Sequence, residues 1–146
     1  MDFSSRFFDV LSFAKRKILI NLLEIFDFFY AKIYLALILF LNFLLWISVF
    51  YINFKASNTT LILHYNVDLG VDLIGLGSNL YVIPLLGLLI LVVNLILLLI
   101  FLKWSDYRYL AHLLFSVSLL ANLFLLISLG PIYLINFRKL LWKFLV

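Results

Sequence analysis

From Ile33 to Phe54 the chain runs for about 22 residues without a charge, and Lys32 and Lys55 bracket the run. At roughly 1.5 Å per residue, a helix of that length covers about 33 Å, the thickness of a bilayer's hydrocarbon core. Two further runs without Asp, Glu, Lys or Arg follow, Tyr81 to Leu102 and Tyr109 to Pro131. The whole chain has 146 residues, 67% hydrophobic and 12% charged, with a mean hydropathy of +1.23. A soluble domain of this size has too little interior to hide so much Leu, Ile, Phe and Val. The sequence therefore predicts an all-α integral membrane protein, a three-transmembrane-helix bundle with spans at about 33–54, 81–102 and 109–131.

The segments around the spans have their own patterns. In residues 1–31, Asp2, Arg6, Asp9, Arg16, Lys17, Glu24 and Asp27 recur every three or four positions, opposite Phe3, Phe7, Leu11, Ile18, Leu22, Ile25 and Phe29. That spacing predicts an amphipathic helix lying in the membrane interface. Lys103 to Arg108 is short enough to fold spans two and three into an antiparallel hairpin. Gly130-Pro131 interrupts the third apolar run, because proline lacks the helical donor and disfavours helix before it; a kink or stop is expected there. The remainder, 132–146 with Arg138, Lys139, Trp142 and Lys143, then reads as a basic amphipathic tail. Tyr30, Tyr34, Tyr51, Tyr81, Trp104, Tyr107, Tyr109, Tyr133 and Trp142 fall near span ends, where an aromatic belt belongs.

Charge distribution gives an orientation. Arg6, Lys15, Arg16, Lys17 and Lys32 precede span one, Lys55 alone marks the first loop, and Lys103 and Arg108 mark the second. The positive-inside rule then predicts a cytoplasmic N-terminus in a bacterial inner membrane and an external first loop, 55–80. The tail's three cations run against the rule. The first apolar run is too long for a signal-peptide core, and Ala56-Ser57-Asn58 is a poor cleavage site, so the run is expected to stay as an anchor. The net charge of +4 sits at the ends of apolar runs, which favours a lipid bilayer as partner and excludes nucleic acid. There is no cysteine, hence no thiol chemistry.

Two groups of residues stand out. Asn42, Asn94 and Asn122 fall near mid-span at broadly comparable depth, where an amide needs an interhelical hydrogen bond. They are expected to fix helix rotation; a polar conduction path is the alternative, though no charge lies within any span. Ser48, Gly87, Ser128 and Gly130 read as small packing residues, Pro84 as a first-turn proline, and His112 as interfacial. The second group is in the first loop, where Thr59 to Val67 has β-like character and Gly70, Gly75 and Gly77 mark turns. Half this loop is apolar, so it is expected to fold back onto the bundle.

His64, Asn66, Asp68 and Asp72 place an imidazole, an amide and two carboxylates in that loop. Three readings stand: loop structure, a divalent metal, or recognition of an outside partner. One histidine without a second disfavours catalytic zinc. No Walker loop, nucleophile elbow, HExxH or dinucleotide fingerprint is present, so neither a catalytic residue nor a cofactor is expected.

His64-Tyr65-Asn66, then Gly70-Val71-Asp72, then Pro84 opening an apolar span, resembles a bacterial membrane domain of unknown function that occurs in immunity proteins against a sporulation-delaying toxin. In that family a proline usually precedes the histidine, where this chain has Leu63, and the gap from Asn66 to Gly70 is shorter. Over Leu61 to Asn136 the chain is more similar to small membrane proteins of reduced-genome bacteria with His-Tyr-Asn, Gly-x-Asp-Leu-Ile-Gly (70–75), Ile-Pro-Leu (83–85) and a mid-span Asn94. The resemblance implies three spans and an external loop and assigns no activity. The expectation is a non-enzymatic accessory or interaction subunit whose loop contacts a protein partner or envelope component. The alternative is a small transporter or channel, formed as a homo-oligomer around Asn42, Asn94 and Asn122.

Overall fold

The computed structural model describes residues 16, 29–57, 59–66, 68, 70–101 and 106–137. Helix α1 is Phe29–Ala56, strand β1 Thr60–Asn66, strand β2 Gly70–Leu76, helix α2 Val82–Ile100 and helix α3 Tyr107–Phe137, with a 3-10 turn at Gly77–Tyr81 leading into α2. Apart from Arg16 and Phe29 to Ala31, the amphipathic helix expected over 1–31 lies outside the described residues, as do 102–105 of the second loop and the tail from 138. Three helical stretches, Phe29–Ala56, Gly77–Ile100 and Tyr107–Phe137, are long and apolar enough to cross a membrane.

What these helices bury is a narrow stripe. In α1, Ala31, Leu35, Ile38, Asn42, Leu45, Val49, Ile52 and Ala56 follow one another at alternating spacings of four and three, and all but half-buried Leu35 are buried. Pro84, Gly87, Leu91, Asn94 and Leu98 repeat the spacing in α2, and Phe115, Ser118, Asn122, Leu125, Leu129, Ile132 and Asn136 repeat it in α3. A 3.5-residue repeat keeps one seam facing its neighbours when helices wrap with a left-handed twist. The seam has two apolar clusters. Ala31, Ile38, Leu91, Leu98 and Phe115 fill one end; Leu45, Val49, Ile52, Leu61, Leu80 and Leu129 fill the end that carries the strands.

Everything else points outward. Only 22% of the apolar stretch of each helix is buried, leaving Phe40, Phe43, Phe50, Phe54, Leu89 and Phe124 exposed. An apolar surface this extensive far exceeds what a soluble monomer tolerates.

The third helix continues through Pro131, where the sequence predicts a kink or stop. Pro131 lies inside α3, which continues to Phe137, whereas the sequence places the end of the span at Pro131. Proline removes one donor, here the bond to the Ile127 carbonyl, so its cost is bounded. Against it stand contacts that the local sequence cannot reveal: Ile132, Tyr133 and Phe137 pack on the strand-end cluster. Asn136 bonds to β1. The helix therefore spans the bundle, with His112 against the rings of Tyr30 and Tyr34 at one end and Asn136 at the other.

Candidate functional site

The first loop folds into a two-stranded antiparallel hairpin. β-Branched and aromatic residues in Thr60–Asn66 suit an extended, half-buried strand. Gly70, at φ 80°, supplies the left-handed conformation that returns the chain from the turn. Pairing runs from Thr60 with Leu76 to Asn66 with Gly70. The register is irregular on both sides of the His64–Leu73 pair: Leu63 has no opposite number in β2, and Asp72 none in β1. Two offsetting bulges restore the alignment while re-aiming the side chains between them.

That irregularity brings His64 to Asp72. The imidazole Nδ1 lies 2.7 Å and 2.9 Å from the two carboxylate oxygens. A carboxylate only accepts, so Nδ1 is the donor and Nε2 is left for another partner. Both side chains are open to solvent, His64 at 63% and Asp72 at 40%, so the pair contributes at most about 1 kcal/mol. Of the other loop residues singled out by sequence, Asp68 sits exposed in the turn and Asn66 closes the strand opposite Gly70. The structure thus brings His64 and Asp72 together. Among the described residues no three His, Cys, Asp or Glu side chains gather to hold a metal.

The hairpin is not a tether. Asn136 of α3 accepts the Ile62 N–H at 2.9 Å and donates to the Ile62 carbonyl at 2.8 Å. Leu61 is buried in the strand-end cluster. A groove of about 450 Å³ lies between β1 and α3, lined among others by Leu63, His64, Tyr65, Ser128, Pro131 and Ile135. Strand β2 has no second neighbour among the described residues, and Leu73, Ile74 and Leu76 are each more than half exposed. An open edge with outward apolar side chains is what strand-addition partners use.

The asparagines occupy two levels of the seam. Asn42 donates to the Asn122 Oδ1 at 3.1 Å and the Pro84 carbonyl at 3.0 Å. Asn122 in turn donates to the carbonyls of Gly87 and Ser118. Asn94 instead donates to Ser118 Oγ at 2.8 Å and to the Leu114 carbonyl. It lies seven residues beyond Gly87, about 10 Å further along the bundle. Ser118 links the levels, so one polar network crosses all three helices. No buried side-chain nitrogen or oxygen among the described residues lacks a partner. Gly87 is required here, since a Cβ would overlap Asn122 Oδ1 and stand 2.8 Å from Asn42 Nδ2.

Four residues to which sequence reasoning gave no bonding role hold these arrangements together: Asn136, Ser118, Asn53 and Lys55. Asn53 donates to the Tyr81 hydroxyl at 3.5 Å. Lys55 donates to the Tyr133 hydroxyl at 3.1 Å and stands over the rings of Tyr51, Tyr133 and Phe137. For Asn136 the seven-residue spacing from Asn122 through Leu129 was a usable signal.

The fold defines a three-helix bundle of membrane-crossing length that carries a clamped hairpin at one end. Comparison with family models, curated proteins and solved structures gives no match for this chain.

Proposed function

We propose that this chain is a multi-pass protein of the bacterial inner membrane, with its N-terminus cytoplasmic and its hairpin external. It acts as a non-enzymatic accessory subunit that contacts a protein partner or envelope component through the hairpin. The observation that carries this reading is the Asn136 clamp on Ile62, which holds one edge of the sheet and leaves β2 presented. A mere connector between spans needs no such anchorage. The His64–Asp72 pair lies on the same hairpin with Nε2 available, and its small worth to stability suits recognition better than folding. The resemblance of His64 to Asn66 and Gly70 to Asp72 to an external loop of small bacterial membrane proteins agrees with this placement. The Asn42, Asn94 and Asn122 amides are bonded within one chain, which favours glue over a conduction path.

The test places a photoreactive residue at Leu73 or Ile74 in native membranes, with lipid-facing Phe124 as control. A discrete adduct from the hairpin, absent from the control, is expected, and replacing His64, Asn66, Asp68 and Asp72 together with alanine should abolish it. If the quadruple variant inserts normally and keeps both the adduct and the phenotype, these residues are not the recognition site.

A further inference from the structure

The strand-bearing end of the bundle has a second feature, and it faces outward. Between α1 and α3 lies a groove of about 320 Å³, bounded by Ser48 and Tyr51 on one helix and Leu126, Gly130 and Tyr133 on the other. Gly130 forms its notch: a Cβ there would have no atom within 4 Å. That is room for a stretch of methylene groups. Its walls are apolar apart from the hydroxyls of Ser48, Tyr51 and Tyr133.

Two of these groove residues also hold a cation. The Lys55 Nζ stands 5.9 Å from the Tyr51 ring centroid and 4.9 Å from that of Tyr133, and 4.8 Å from Phe137. Three aromatic faces fix the ammonium at the mouth of the groove. One of its N–H groups goes to the Tyr133 hydroxyl, and no carboxylate among the described residues pairs with it. An ammonium has three donors, so donors remain for an anion. Lys55 also ends the charge-free run of α1, the depth at which headgroups meet hydrocarbon.

We propose that this groove is a phospholipid site: one acyl chain lies over Gly130 between α1 and α3, and the phosphodiester sits on Lys55 beside the hydroxyls of Tyr51 and Tyr133. This rests on the reading of the chain as membrane-embedded. The charge sets the preference. With a fixed cation at the mouth, a headgroup of net negative charge, such as phosphatidylglycerol, is favoured over phosphatidylethanolamine, whose own ammonium Lys55 repels.

The full chain, purified in mild detergent from membranes holding both lipids, is tested by native mass spectrometry. One retained phospholipid per chain, enriched in phosphatidylglycerol, is expected. Lys55→Gln should lower phosphatidylglycerol retention about tenfold, the loss of a charge-assisted hydrogen bond. Gly130→Leu, which fills the notch, should release both lipids, while Phe124→Ala on the outer face should release neither. Wild-type chain without lipid, detergent alone in the groove, or both variants retaining lipid as wild type does would each overturn the proposal. Resistance to alkaline carbonate extraction is scored on the same membranes, so a failed lipid site is distinguishable from a chain that does not reside in the bilayer.

Discussion

The side-chain amide of Asn136 treats Ile62 as a neighbouring strand would, accepting its N–H at 2.9 Å and donating to its carbonyl at 2.8 Å. A primary amide has an N–H on the same side as its carbonyl oxygen, so it gives and takes one bond in one direction, as the N–H and C=O of a single strand residue do; one side chain thus substitutes for one rung of a ladder. Replacement by leucine keeps the volume and removes both bonds, leaving the Ile62 N–H and carbonyl without their partner. Asn136→Leu is expected to cost about 1–3 kcal/mol. Hydrogen exchange at the Ile62 amide should accelerate while the amides of α1 and α2 stay protected.

Asn42 and Asn122 should behave as a coupled pair. Interhelical bonds of this kind are worth about 0.6–2 kcal/mol. Removing one partner strands the other in an apolar seam, so Asn42→Leu or Asn122→Leu alone should destabilise more than half as much as both together. A double-mutant cycle, read by resistance to denaturing detergent, checks this, and strict additivity would sink the pairing.

Gly87→Ala addresses the same layer from the other side. The added methyl meets the Asn122 oxygen and the Asn42 nitrogen. Overpacking of this kind costs about 1–3 kcal/mol. The equivalent change at Gly130, where a Cβ meets nothing, should leave the unfolding midpoint where it is.

Pro131→Ala returns a donor to the Ile127 carbonyl. Because α3 already passes through this position, the substitution should add about 1 kcal/mol, one net hydrogen bond, without altering the hairpin. A drop in stability would show that the proline geometry, and not only its tolerance, places Tyr133 and Asn136.

The His64–Asp72 pair separates stability from recognition. His64→Ala or Asp72→Ala should shift the unfolding free energy by less than about 1 kcal/mol, given the exposure of both groups. Either change should nonetheless weaken photocrosslinking from β2.

The three long helices were legible because a charge-free run bracketed by Lys32 and Lys55 admits few alternatives. The β character of Thr60 to Asn66 was legible from its residue types. The seam was not, since Ile38 inside and Leu37 or Leu39 outside are equally apolar, and no periodicity shows when both faces of a helix are apolar. The polar members could have exposed it: Asn42, Asn94, Asn122 and Asn136 all lie on the stripe. That α3 continues to Phe137 was not legible, because a local rule about Pro131 weighs nothing that Tyr133, Asn136 and Phe137 gain from residues 70 or more positions away. The two levels of asparagine were merged because depth was counted from span ends taken as level, whereas Tyr81, at the start of α2, packs beside Trp46 and Asn53 and not beside the end of α1.

The clamp has a consequence for assembly. A sheet with two bare edges can propagate, each added strand exposing a fresh edge to the next molecule, and that is the route to fibres. Here Asn136 caps the middle of one edge, so the hairpin can grow only from Gly70–Leu76. Growth from a single edge ends as soon as it begins, either in one foreign strand or in a closed pairing of two copies. A chain with one edge capped in this way is thereby kept from polymerising through the other.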